Sequence, residues 1–180
     1  MAAPYNQAMD DLQALIRDVP DFPEPGIVFK DIAPLLGDAA GLQRALDLMS
    51  SPFRDKGITH VAGIEARGFI LATPVAARID AGFVPIRKPG KLPWKTVEKT
   101  YDLEYGTDTV VAHADAVAPG DRVLVVDDVL ATGGTAAAAV SLIQLLGAEV
   151  VGVSVLVELG FLGGRAKIDV PVDAVIVYGD

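Results

Sequence analysis

Residues 123–135 read Val123-Leu124-Val125-Val126-Asp127-Asp128-Val129-Leu130-Ala131-Thr132-Gly133-Gly134-Thr135. The four apolar residues at the start predict a buried strand. Two acids, Asp127 and Asp128, stand at its carboxyl end. A run of small residues, Ala131 to Thr135, then opens onto a helical pattern that Gly147 stops. Gly133 and Gly134 let the backbone turn tightly and come close to a ligand. The first N–H groups of a helix lack partners within it and lie at the positive end of its dipole. The loop therefore predicts a cradle for one phosphate group, built from Ala131, Thr132, Gly133, Gly134 and Thr135. It has neither the lysine of a P-loop nor the Gly-x-Gly-x-x-Gly of a dinucleotide site.

Two carboxylates beside an anion site repel the anion unless the ligand brings something for them to hold. Ring hydroxyls, a Mg²⁺ ion or a centre that becomes cationic would each do so. A ribose 5-phosphate meets all three conditions, with its hydroxyls at the acids and an oxocarbenium-like C1′ nearby. Read without a ligand, either acid caps the following turn and the glycines form an ordinary loop.

Outward from this stretch, short β-branched runs alternate with longer helical patterns. Strands are predicted over 58–64, 83–86, 150–157 and 174–177, and helices over 68–78 and 135–146. Thr100–Leu103 and Thr109–Ala112 flank Tyr105-Gly106-Thr107-Asp108, which predicts a hairpin. Upstream, helices predicted over 5–18 and 38–54 enclose a proline-rich loop, 19–26, and a short extended piece, 27–29. The expected fold class is α/β, a central, mostly parallel sheet flanked by helices. Ligands in such folds sit at the carboxyl ends of the strands. Residues 160–180 read as packing only.

Composition sets bounds. The chain has 180 residues, 51% of them hydrophobic and 22% charged, which predicts one globular domain over 1–180. Cysteine is absent, so thiol chemistry, disulfides and cysteine metal sites are excluded. Fifteen basic residues against 24 acidic give a net charge of −9, which argues against a nucleic-acid partner. The N-terminus shows no leader pattern, and the strongest apolar run, Val150 to Val157, is far shorter than the roughly 20 residues of a membrane span. A cytoplasmic protein with no membrane partner is expected. His60 and His113 lack zinc-ligand spacing.

The 123–135 string resembles the phosphoribosyl-diphosphate motif of type I phosphoribosyltransferases, and its Ala-Thr-Gly-Gly-Thr resembles the adenine phosphoribosyltransferases among them. Three further segments carry the resemblance. Gly63-Ile64-Glu65-Ala66-Arg67-Gly68-Phe69 is similar to the family's diphosphate loop. There Glu65, Ala66 and Arg67 would hold diphosphate oxygens, with a cis peptide. Alone, Arg67 reads equally well as the partner of a nearby acid. The basic run Arg87-Lys88-Pro89-Gly90-Lys91-Leu92-Pro93 is similar to the family's flexible catalytic loop, which places Arg87, Lys88 and Lys91 on the diphosphate. Five cations within 87–99 of an acidic chain also read as a solvated surface loop. Tyr101-Asp102-Leu103-Glu104-Tyr105-Gly106 follows, with Glu104 as candidate acid/base or as an ordinary strand acid.

The fourth segment, Phe22 to Asp31, is similar to the family's base-binding hood, over about 1–35 beside a core at about 58–158. Val28, Phe29 and Lys30 would line the base, with Phe29 as its apolar wall. Lys30 stands where relatives commonly carry arginine. The resemblance implies a type I phosphoribosyltransferase fold and an enzyme that joins adenine to phosphoribosyl diphosphate. Glu104, Asp127, Asp128 and Arg67 are its candidate catalytic residues. Mg²⁺ would arrive on the substrate and lie near Asp127 and Asp128, and the enzyme would be a homodimer. Xanthine or hypoxanthine as the base, or a non-catalytic regulator that senses phosphoribosyl diphosphate, are the competing readings.

Overall fold

A computed structural model gives the fold and describes residues 11–102 and 106–179. Contacts group the chain into two compact units, Met1–Leu48 and Met49–Asp180.

The first unit opens on an antiparallel hairpin, β1 (Arg17–Pro20) and β2 (Val28–Asp31). This corrects the helix predicted over 5–18. Among the described residues the helical backbone ends at residue 13. The reason is tertiary: residues 17–20 pair with β2 instead, and two cross-strand ion pairs, Arg17–Asp31 at 3.7 Å and Asp18–Lys30 at 2.6 Å, add to the ladder. Helices α1 (Ala33–Gly37) and α2 (Ala39–Ser50) follow. Asp38 caps α2, its Oδ1 accepting the Gly41 N–H at 2.7 Å. The helix predicted to residue 54 stops at Ser50, because Pro52 has no N–H to continue it; a 3₁₀ turn over Ser51–Phe53 takes its place.

The second unit is built on a five-stranded sheet. Its strands are β3 (His60–Ile64), β4 (Gly82–Ile86), β7 (Arg122–Leu130), β8 (Glu149–Leu159) and β9 (Val172–Tyr178), in the order β4-β3-β7-β8-β9. Every neighbouring pair is parallel. Helix α3 (Gly68–Arg78) packs on β3 and β7, and α4 (Gly134–Leu145) packs on β7 and β8. The buried cluster joins Val123 and Val125 of β7, Val153 and Val155 of β8, and Ala139, Val140, Leu142 and Ile143 of α4. Ser154 interrupts the apolar run of β8 without cost, because its hydroxyl donates to the Met49 carbonyl at 3.2 Å. A separate hairpin, β5 (Thr96–Asp102) and β6 (Thr107–His113), stands where one was predicted, with longer arms.

One boundary matters for the site. β7 was expected to end before the acids, but it runs through both to Leu130. The cause is β8, whose eleven residues supply partners that far: Asp127 faces Val155 and Leu130 faces Glu158 in the ladder. The acids are thus on rigid backbone.

Candidate active site

The carboxyl ends of β3, β4 and β7 lead into Glu65 to Arg67, into Arg87 and Lys88, and into Ala131 to Thr135. β7 leads directly into the loop 131–133 and helix α4, and this turn lines a cavity of about 90 Å³. Its lining includes Asp127 and all five predicted cradle residues, Ala131 to Thr135. Gly133 caps α4 in the left-handed conformation, φ 80°, and no side chain caps the helix. The amide groups of the first turn therefore keep their donors for a ligand.

The wall behind this loop comes from a segment that sequence reasoning assigned to packing alone. A Cβ on Gly133 would lie 2.2 Å from the Gly164 carbonyl oxygen, and one on Gly164 would lie 2.0 Å from that of Ala131. Two glycine backbones are pressed together, so no side chain fits on either. The 3₁₀ turn carrying Gly164 is anchored by Arg165, which bonds both carboxylate oxygens of Glu158, the Nε bond being 3.0 Å, and the Val172 carbonyl. Glu158 is only 6% exposed, so this buried charge is fully paired. The adjacent glycines Gly163 and Gly164 were the one signal in the sequence for such a contact.

Asp128, 6% exposed, accepts a hydrogen bond from Arg67 Nε at the N-cap of α3. Arg67, read as a diphosphate ligand or an acid's partner, is here an acid's partner. Asp127 lies against the start of the same helix, where a Cβ on Gly68 would sit 2.7 Å from its Oδ1. That oxygen also accepts the Asp128 N–H at 2.9 Å. Burial, and then the charge of Asp128, push the Asp127 carboxyl well above the usual carboxylate range. The Glu65–Ala66 peptide is cis, as the resemblance implied.

The basic run is held by acids. Glu65 Oε2 accepts Arg87 Nε at 2.7 Å and the Lys88 N–H at 3.1 Å, while Arg87 donates onward to the Lys91 carbonyl at 3.0 Å. Lys88 pairs with Asp108, and Tyr101 bonds Asp108 at 3.0 Å and Thr135 at 2.9 Å. Sequence reasoning gave no role to Tyr101 or Asp108. Glu104 lies outside the described residues. Among the described residues, no group of three or more metal-ligating side chains forms and no helix is long and apolar enough to cross a membrane.

In the first unit, Phe29 meets Phe22 edge-to-face, with ring centroids 5.2 Å apart, at the cis Phe22–Pro23 turn. Val28 is exposed, and the Lys30 ammonium is tied to Asp18.

The phosphoribosyl transferase domain model matches residues 37–175. An adenine phosphoribosyltransferase from Thermobifida fusca is 62% identical over 153 residues, spanning 85% of this chain and 87% of that one. The crystal structure of adenine phosphoribosyltransferase from Rhodothermus marinus superposes with a TM-score of 0.92 at 52% identity, covering 96% of this chain and 99% of that chain. The Saccharomyces cerevisiae adenine phosphoribosyltransferase, solved with adenine and an imino-altritol bisphosphate, gives a TM-score of 0.90 at 35% identity over 94% of this chain and 99% of that one. With this fold and this carboxyl-edge site, the chain belongs to the adenine phosphoribosyltransferases of the phosphoribosyl transferase domain family.

Proposed function

We propose that this chain joins adenine to 5-phospho-α-D-ribose 1-diphosphate, giving AMP and diphosphate. The observation that carries the reading is the cavity lined by the open helix amides at the start of α4, with two carboxylates on the strand that leads into it. The 5-phosphate takes the free amides of residues 133–136. Asp127 and Asp128 meet the ribose hydroxyls. The C1′–oxygen bond to diphosphate breaks, C1′ gains positive charge, and a base nitrogen forms the new bond and loses its proton. Carboxylate charge beside C1′ favours that transition state. Positioning supplies most of the remainder.

Arg67, Arg87, Lys88 and Lys91, with the Glu65–Ala66 backbone, receive the departing diphosphate. Two carboxylates suit Mg²⁺, which is commonly held by one or two of them together with substrate phosphates. Held there by Asp127 and Asp128, Mg²⁺ would neutralise diphosphate charge. Glu104 is the acid/base near the reacting base, and Val28, Phe29 and Lys30 form the base's wall. The reading places the enzyme in the cytoplasm as a homodimer, and exposed Phe161, Leu162 and Val177 supply apolar surface for a second copy.

Diphosphate release, measured with phosphoribosyl diphosphate, Mg²⁺ and each base in turn, tests this. Adenine should support turnover far above hypoxanthine and xanthine. Equal or reversed rates would overturn the adenine assignment, and tight binding without release would point to the regulator.

A further inference from the structure

The Tyr101 hydroxyl lies within reach of three polar groups: Thr135 Oγ1 at 2.9 Å, Asp108 Oδ2 at 3.0 Å and Lys88 Nζ at 3.4 Å. Its ring rests on the start of α4, 3.2 Å from where a Cβ on Gly134 would stand. Proton bookkeeping restricts this cluster. An ammonium only donates, an ionised carboxylate only accepts, and a phenol has one hydrogen to give. Asp108 is ionised, since the hydrogen bond from Lys88 leads in holding its carboxyl below the usual range. Burial pulls the Lys88 ammonium down, but the bond to Asp108 and the nearness of Tyr101 outweigh it and leave Lys88 charged.

The phenol hydrogen then has two acceptors open to it, Asp108 and Thr135. If the phenol gives its hydrogen to Asp108, the Thr135 hydroxyl must give its own to the phenol, and it turns only lone pairs toward the cavity it lines. Lone pairs repel an anion. If the phenol donates to Thr135, the threonine hydrogen is released toward the cavity, and the Lys88 ammonium, bonded to Asp108 and 3.4 Å from the phenol oxygen, donates to both. Phosphate oxygens accept and do not donate, so a bound phosphate selects the second arrangement. A donor chain from phenol to threonine to phosphate also polarises cooperatively.

We propose that Tyr101 is a positioning residue whose hydroxyl, held by the Lys88 ammonium, sets Thr135 as a hydrogen-bond donor to the sugar phosphate in the cradle. The inference rests on the reading of that cradle given above. It adds a three-residue link from the basic run to the phosphate site, and Tyr101 touches no reacting atom.

A double-mutant cycle on ribose 5-phosphate binding, read by calorimetry, tests it. Tyr101→Phe keeps the ring on Gly134 and removes only the hydroxyl, so the thermal midpoint serves as the control for folding. The Kd should rise about 3- to 10-fold, the size of one net hydrogen bond. KM for phosphoribosyl diphosphate should rise with it, with little change in kcat. Thr135→Val should weaken binding at least as much, and adding Tyr101→Phe to it should cost nothing further. Unchanged binding in Tyr101→Phe overturns the inference, and so does a double variant whose loss is the product of the two single losses. Failure of the wild-type protein to bind ribose 5-phosphate would overturn the cradle and the inference together, which separates that result from the other two.

Discussion

The two edges of the five-stranded sheet carry similar charged residues and use them in opposite ways. At the amino edge, Asp121 accepts the Ala118 N–H at 2.8 Å and the Thr59 hydroxyl at 3.1 Å, and Arg122 donates to the Lys56 carbonyl at 3.0 Å and pairs with Glu149. The Thr59 carbonyl accepts the Gly82 N–H at 2.8 Å, joining the start of β4 to the same knot. These groups lie in water and tie loop backbone to the strand starts. At the carboxyl edge, acids meet bases side chain to side chain: Glu65 with Arg87, Arg67 with Asp128, Lys88 with Asp108, Arg165 with Glu158. Asp128 and Glu158 are buried there, and Asp127 stands beside Asp128 with its carboxyl pushed toward the neutral form. An ion pair that stitches backbone in solvent belongs to the fold. Buried acids massed next to open helix amides are arranged for a ligand.

The contrast breaks most visibly at Asp128. Asp128→Asn keeps the shape of the side chain and its place on β7 but removes the charge that faces Arg67 and, in the proposed reaction, the ribose. Turnover should fall roughly 10²- to 10³-fold, the scale seen when one preorganised electrostatic contact is lost. Steady-state kinetics checks this, with circular dichroism to show the fold intact. A near-normal rate would place Asp128 in the same class as the amino-edge acids.

Asp127→Asn should move stability the other way. The folded-state pKa of Asp127 is raised, by burial first and by Asp128 second. The native protein therefore holds a proton that the unfolded chain releases, and stability falls as pH rises from the ordinary carboxylate value through the raised one. Asparagine is neutral throughout and can still accept the Asp128 N–H. The variant should be more stable than the wild type at pH 8 in buffer containing EDTA, with the difference closing toward pH 4, while its turnover drops. Parallel melting curves across that range would contradict a buried, raised carboxyl.

The site was legible where it is contiguous. Strand, acid pair, glycine loop and helix occur in order within 123–135, and local chemistry alone points to the cradle. The bounds of α3 were also readable, because Gly68 and Arg78 enclose one apolar pattern. Contacts closed by the fold were not. Arg67 meets Asp128 across 61 residues and Tyr101 meets Thr135 across 34. Gly164 presses on Gly133 from a tail with no periodic pattern of its own. Residues 17 and 18 were read as helix and 19 and 20 as loop, because pairing with β2 overrode an amphipathic spacing at the first two and turn chemistry at the others.

The smallest effect belongs to the amino edge. Arg122→Ala removes the ion pair with Glu149, whose side chain is 59% exposed, and the bond to the Lys56 carbonyl. Exposed pairs are worth about 0.2–1 kcal/mol. The guanidinium stem also lies 3.8 Å from where a Cβ on Gly57 would stand, so a little packing goes with it. Stability by urea denaturation should drop by about 1 kcal/mol, with kcat and KM unchanged. Salt should shrink the difference, because the lost attraction is screened in the wild type already. A kinetic defect in this variant would mean that the amino edge reaches the chemistry through the strands, and the division between the two edges would have to be abandoned.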